Sequence, residues 1–180
     1  MKKLLFVIAA LASCMTVSAK YWISGSVGFS GVSEYDSDLK NHDLVFSPSI
    51  GAELEDNLSI GLNLTIRDTK INGGQITQVR FSPFFRWTFL EEGKFSMFLD
   101  QGFSYRIFSP SGYNYWEFGV FASPGVRYDM SDHFAIAAQF QGLYFGHENR
   151  PDIDPGNTYK NSYGLAATLS DLSFSLIYEF

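Results

Sequence analysis

The chain has 180 residues, of which 17% are aromatic and only 18% are charged, and its formal net charge is −6. This length fits one domain, and the aromatic content favours strands over helices. The negative charge argues against a nucleic-acid partner, since a polyanion would repel it, and the single cysteine, Cys14, excludes a disulfide within the chain.

Residues 1–19 have the pattern of an export signal. Lys2 and Lys3 form a basic start, residues 4–12 form an apolar core too short to span a bilayer, and residues 17–19 supply the small side chains of a signal-peptidase site. We therefore predict that residues 1–19 are a signal peptide and that residues 20–180 form the mature domain. Residues 11–14 also resemble a lipoprotein signal, which would instead attach a lipid to Cys14.

Apolar and small polar residues alternate along the rest of the chain, which predicts strands. The clearest case is LSIGLNLTIR, residues 58–67, where every second residue is Leu or Ile. The same pattern predicts eight strands, at about 21–30, 44–54, 58–67, 76–89, 95–107, 115–129, 134–145 and 162–180, the last with an irregularity near Ser170 and Asp171. No later stretch is long and apolar enough to predict a transmembrane helix.

The predicted connections alternate in length. Those at 55–57, 90–94 and 130–133 are tight turns, whereas those at 31–43, 68–74, 109–114 and 146–161 are longer or richer in Gly, Pro, Asp and Asn. Short turns at one end and longer loops at the other are the arrangement of an outer-membrane barrel. Because proline cannot donate to a sheet ladder, we expect local bulges at Pro48, Pro83 and Pro124.

Volume and charge decide which face of the barrel meets lipid. An eight-stranded barrel is only just wide enough to be filled by its own side chains, so the bulky apolar face is predicted to point outward and the Ser, Gly, Thr and Ala face inward. The inward face also carries the charges of the strands, namely Arg67, Arg80, Arg86, Arg106, Arg127, Glu53, Asp100, Glu117 and Glu179. We expect arginines and carboxylates to pair there, because an unpaired buried charge is costly. The predicted fold is an all-β, eight-stranded antiparallel up-and-down transmembrane β-barrel.

This pattern resembles the small eight-stranded outer-membrane β-barrel family, the OmpA/OmpX-like or outer membrane protein β-barrel domain group. The export signal, SPFFRW, SPGVRYDMSDHF and the terminal LSFSLIYEF carry the resemblance, which covers residues 20–180. It implies an outer-membrane location, surrounding lipid as a partner, and a closing strand, ending at Phe180, that the barrel assembly machinery reads during insertion. It implies no shared enzymatic activity.

The histidines do not form a recognisable catalytic arrangement. His133 falls in a tight turn at the periplasmic end, and His42 and His147 lie near the outer rim without the His-x-Ser arrangement of lipid A deacylase barrels. Asp152 and Asp154 are spaced like the first ligands of a calcium loop, but the rest of that motif is missing. We therefore predict no catalytic residue, no cofactor and no metal site.

The predicted function is a non-enzymatic role in the envelope. Both termini should face the periplasm, and the loops at 31–43 and 146–161 should face an extracellular ligand, since loops on a rigid scaffold commonly carry function. The alternatives are a lipid-modifying barrel enzyme, a narrow porin, and a soluble barrel that carries an apolar ligand inside.

Overall fold

The computed structural model describes residues 20–33, 40–71, 74–110, 115–149, 159–166 and 172–180. Its strands are β1 (Tyr21–Ser33), β2 (Lys40–Glu55), β3 (Leu58–Ile71), β4 (Gly74–Glu92), β5 (Phe95–Pro110), β6 (Tyr115–Asp129), β7 (Phe134–Gln139), β8 (Gly142–Asn149), β9 (Tyr159–Ala166) and β10 (Ser173–Glu179). None of the residues in these ranges forms a helix long and apolar enough to cross a membrane.

Antiparallel pairing joins the segments into an eight-stranded barrel. β7 and β8 both pair with β6, one after the other along its length, so together they form one strand of the barrel wall. The next strand of the wall is formed by β10, which pairs with β7, and β9, which pairs with β8. β10 also pairs with β1, from Trp22–Glu179 to Gly25–Leu176, and this ladder closes the barrel. The predicted all-β, up-and-down barrel is therefore confirmed, with the last two predicted strands each divided into two segments.

The connections at one end, the short-turn end, are as tight as predicted. Asp56 and Asn57 join β2 to β3, and Gly93 and Lys94 join β4 to β5. Gly93 has a φ of 61°, a left-handed conformation that glycine adopts without the steric cost of a Cβ. At the opposite, loop end the strands run further than predicted, since β2, β3, β8 and β9 extend into stretches assigned to loops. The irregularity expected near Ser170 and Asp171 lies outside the described residues.

Of the bulges expected at the three prolines, only the one at Pro124 is confirmed, because the register with the next strand shifts by one residue between Gly125–Gln139 on β7 and Ala122–Leu143 on β8. The register between β2 and β3 is the same before and after Pro48, and that between β4 and β5 is the same before and after Pro83. A proline removes a donor from the ladder without adding a residue, so the strands keep their alignment. The register shifts instead at Glu53/Glu55 and Thr88/Leu90, next to the tight turns, where bulges at a barrel rim are common.

The two faces of the wall differ as the alternation predicted. Large apolar side chains point outward and are exposed on every side of the barrel, among them Leu64, Phe85, Phe103, Phe118 and Ile136. The buried residues lie in the lumen, and they include Asp100, Glu117 and Glu148. A surface of this kind suits hydrocarbon outside and a satisfied polar interior.

Candidate functional site: the barrel lumen

The lumen near the short-turn end is built around a buried ion pair. Arg86 Nε lies 2.7 Å from Asp100 Oδ1, and a second nitrogen of the same guanidinium lies 2.9 Å from Asp100 Oδ2. Gln139 Nε2 also donates to Asp100 Oδ2, at 2.8 Å. This two-point geometry is the strongest form of an arginine–carboxylate contact, and it confirms the expected pairing of two of the lumen charges.

Most of the other predicted lumen charges also lie beside an opposite charge. The pairs are Arg106–Glu117 at 3.4 Å, Arg127–Glu179 at 2.6 Å, Arg127–Asp129 at 2.7 Å, Arg67–Asp43 at 3.6 Å and Lys20–Glu53 at 3.9 Å. Asp43, Asp129 and Lys20 were not among the predicted lumen residues. Lys20 directly precedes β1 and Asp129 is the last residue of β6, where the alternation is weakest, and Asp43 lies in the stretch 31–43 that was predicted to be a loop.

Large apolar side chains also occupy the lumen, which corrects the expectation of an interior made of small residues. Trp22, Phe84, Phe98 and Ile177 pack together at the short-turn end and are all almost fully buried. We call these four residues the aromatic plug. The Arg86 guanidinium lies 4.0 Å from the centroid of the Phe98 ring and 5.1 Å from that of Trp22, so the ion pair and the plug form one packed unit.

Glycines on neighbouring strands make room for the plug. Trp22 is the register partner of Gly51, Phe84 of Gly61, and Phe98 of Gly125. A Cβ added at any of these glycines would overlap the aromatic ring beside it. An inward-facing aromatic residue with a glycine as its partner on the neighbouring strand is therefore the sequence pattern that indicates the plug, and the sequence analysis did not use it.

A row of charges crosses the lumen further toward the loop end. The strand registers place Arg80 beside Arg106, Arg106 beside Glu117, Glu117 beside Glu148, and Glu148 beside Lys160. We call these five residues the charge row. Like charges are neighbours in it, so the wall formed by β4 and β5 is positive and the wall formed by β6 and β8 is negative. Glu148 and Lys160 were missed because residues 146–161 were predicted to be a loop.

Buried polar atoms without a hydrogen-bond partner in this region include Nε of Arg80 and the hydroxyl of Tyr144, which is buried beside Gly119 and Gly146. Buried polar atoms are usually satisfied, so such atoms indicate a place where a polar group can bind.

The structure separates His147 from the acid that follows it. His147 lies on the outer face of β8, with Nδ1 2.8 Å from Asn161 Oδ1 and its ring 6.4 Å from the Trp116 ring. Glu148 lies on the inner face and is buried, because consecutive strand residues point to opposite faces. The two side chains therefore do not form a catalytic pair.

Of the remaining candidate residues, the structure describes only the side chain of His133. His133 lies in the connection between β6 and β7, where Nδ1 is 3.1 Å from the Glu179 carbonyl oxygen. The side chain of His42 and the segment with Asp152 and Asp154 lie outside the described residues. Within the described ranges, no group of three or more His, Cys, Asp and Glu residues could hold a metal ion.

Comparisons with known proteins identify a family and a shared fold. A family model described as the outer membrane protein beta-barrel domain matches residues 4–175. Neisserial surface protein A is 12% identical with a TM-score of 0.61, over 91% of this chain and 99% of that chain, which shows a shared fold. OprG from Pseudomonas aeruginosa is 12% identical with a TM-score of 0.45, over 90% and 94%. A major outer membrane protein from Thermus thermophilus is 15% identical with a TM-score of 0.47, over 91% and 100%. No curated protein sequence matches the chain.

Proposed function

Because the chain belongs to the outer membrane protein beta-barrel domain family and lies in the outer membrane, we propose that it is a non-enzymatic envelope protein with a plugged barrel. Its scaffold holds the loop end at the cell surface for structural contacts or an extracellular ligand. Export through residues 1–19, insertion by the barrel assembly machinery and contact with outer-membrane lipid are parts of the same proposal.

The aromatic plug is the observation that carries this proposal. A solute that crossed the whole barrel would have to pass Trp22, Phe84, Phe98 and Ile177, which pack in the lumen with the Arg86–Asp100 ion pair beside them. An eight-stranded barrel has no further width for a water path around such a cluster. This favours a scaffold over a narrow porin.

The length of the strands supports a role at the surface. β4 has 19 residues and β2 and β5 have 16 each, whereas a strand needs only about 9–11 residues to cross the hydrocarbon. Since the turns at the other end are tight, most of the excess belongs to the loop end. The segments at 31–43 and 146–161 are therefore partly strand, and they give an extracellular ligand a firm surface to contact.

The position of His147 supports the absence of catalysis. A lipid-modifying enzyme would need a histidine, a serine and an acid at one point of the outer rim. His147 instead contacts Asn161 and Trp116 on the outer face, and Glu148 faces the lumen.

Conductance across a planar lipid bilayer tests the proposal. The unmodified protein should show no stable channel, whereas the double variant Trp22→Ala/Phe84→Ala should show steady conductance because it loses two of the four plug side chains. Phe85→Ala is the matched control, since Phe85 is adjacent in sequence but points outward, and it should stay silent. A stable channel in the unmodified protein would instead establish the narrow porin.

A further inference from the structure

Two neighbouring strands carry a patch of hydrogen-bond donors on their lumen faces. Arg80 on β4 is the register partner of Arg106 on β5, and the register between these strands is unchanged as far as Phe84. This register places Ser82 opposite Ser104, one inward position closer to the short-turn end. Alternate residues of a strand lie about 7 Å apart, so the four side chains are neighbours. We call Arg80, Arg106, Ser82 and Ser104 the donor patch.

Arg80 is the lumen arginine that has no acid beside it within the described residues. The other four lumen arginines each lie between 2.6 Å and 3.6 Å from a carboxylate oxygen. The register partners of Arg80 are Arg106 and Thr65, so a like charge lies on one side and a hydroxyl on the other. Its Nε is buried and has no hydrogen-bond partner in the same part of the chain. Because a buried charge without a partner is costly, this guanidinium requires an anion.

Aromatic side chains bound the donor patch at both ends of the lumen. Toward the short-turn end, the next inward residue of β4 after Ser82 is Phe84 of the aromatic plug, which is buried. Toward the loop end, Phe108 is also buried, and its ring centroid lies 5.3 Å from the Arg106 guanidinium. Ser82 and Ser104 are buried between these levels, and their hydroxyls can donate to an anion. Such surroundings exclude water, which strengthens hydrogen bonds to a bound charge.

The charges around the donor patch fit an anion with a single negative charge. The charge row has one more cation than acid, since it consists of Arg80, Arg106, Lys160, Glu117 and Glu148. The Glu117 carboxylate lies 3.4 Å from Arg106, so a doubly charged anion at the patch would meet stronger repulsion. The planar fork of a guanidinium binds carboxylate oxygens in pairs. A carboxylate therefore suits the donor patch better than a phosphate dianion or a chloride ion.

We propose that the donor patch binds a small monocarboxylate, which supplies the missing partner of Arg80. The carboxylate oxygens accept hydrogen bonds from Arg80 and Arg106 and from the two serine hydroxyls. The aromatic plug closes the short-turn end, so the ligand enters from the loop end and leaves by the same route. The site lies in the lumen and not in the loops, so this inference goes beyond the scaffold role, and it concerns binding without conductance.

Isothermal titration calorimetry of the protein in a non-ionic detergent tests the proposal. Sodium acetate is the probe, and sodium chloride and sodium phosphate are titrated at the same ionic strength and at mildly alkaline pH, where phosphate is mainly a dianion. We expect saturable binding of one acetate per chain, with affinities for chloride and phosphate that are about tenfold weaker or more.

Three results of this titration would overturn the proposal. Chloride binding as tight as acetate binding would show that the patch attracts any counter-ion. Phosphate binding as tight or tighter would show that a single charge is not selected. An absence of saturable acetate binding would show that the patch holds no carboxylate.

Substitution of Arg80 locates the site. Arg80→Gln should weaken acetate binding about tenfold or more, by loss of a charged hydrogen-bond donor. Arg67→Gln is the matched control, since Arg67 is a lumen arginine that already has Asp43 at 3.6 Å, and it should change the affinity by less than about twofold. Heat-dependent gel migration checks that both variants fold. Equal affinities for folded Arg80→Gln and the unmodified protein would contradict the assigned position.

The stability of the barrel separates anion binding from a structural role of Arg80. In acetate-free buffer, Arg80→Gln should unfold at the same urea concentration as the unmodified protein or at a higher one, because it removes a cation that lacks an acid among the described residues. Acetate should raise the urea midpoint of the unmodified protein, since it binds the folded state, and leave that of Arg80→Gln unchanged. Equal shifts by acetate in both proteins would show a general salt effect and overturn the proposal.

Discussion

Arg86 shows how single residues keep charge inside a narrow barrel. Its guanidinium makes two contacts with Asp100, and its faces lie near the rings of Phe98 and Trp22. Its surroundings therefore include an opposite charge and aromatic surfaces, both of which favour a cation. Removal of one partner leaves the other charge buried with no compensation.

Arg86→Gln should consequently lower the free energy of unfolding by about 3–5 kcal/mol. Arg67→Gln removes a pair that is longer, at 3.6 Å, and half exposed, so it should cost only about 0–1 kcal/mol. Urea unfolding in detergent micelles, followed by tryptophan fluorescence, measures both. Similar losses in the free energy of unfolding for the two variants would show that burial does not determine how much the Arg86–Asp100 pair stabilises the protein.

The partners of these residues could be predicted from the sequence only in part. Alternation places Arg86 and Asp100 on one face, but it does not give the register that makes them neighbours. The plug was missed for the same reason, because Trp22 fits a small-residue face only when Gly51 is its partner on the next strand.

At the scale of whole strands, a stripe of apolar residues along each outer face fixes the orientation of the wall. Leu64 lies near the middle of β3, opposite Phe81 on β4, and both point outward. The stripe predicts strands well where they cross hydrocarbon. It fails at the loop end, where outward positions carry polar residues such as Asp68 and His147, so the ends of β2, β3, β8 and β9 were predicted as loops.

Leu64→Arg places a charge at mid-depth on the lipid face and should reduce stability by about 2–4 kcal/mol. Glu91→Arg, at the exposed short-turn end of β4, should change stability by less than about 0.5 kcal/mol. The unfolding free energy in phospholipid vesicles distinguishes them. An unchanged stability for Leu64→Arg would mean that this face does not contact lipid.

Over the whole molecule, the closing ladder and the tight turns lie at one end of the barrel. Phe180 donates its backbone N–H to the Tyr21 carbonyl at 3.0 Å, and Glu179 donates to His133 at 2.9 Å, so both ends of the described chain and the last turn meet there. The sequence predicted this closure from the alternation in residues 171–180. It did not predict the extent of the β1–β10 ladder, Trp22–Glu179 to Gly25–Leu176 among the described residues, since nothing in the pattern of one strand shows where its ladder with the next strand stops.

The most direct test is to determine on which side of the membrane each end of the barrel lies. Single-cysteine variants Lys70→Cys, at the loop end, and Asn57→Cys, in a tight turn, are made with Cys14→Ser and treated with a membrane-impermeant maleimide on intact cells. The account predicts that Lys70→Cys is labelled and that Asn57→Cys is labelled only after lysis. Labelling of Asn57→Cys on intact cells, or protection of Lys70→Cys, would contradict an outer-membrane barrel with its short turns in the periplasm.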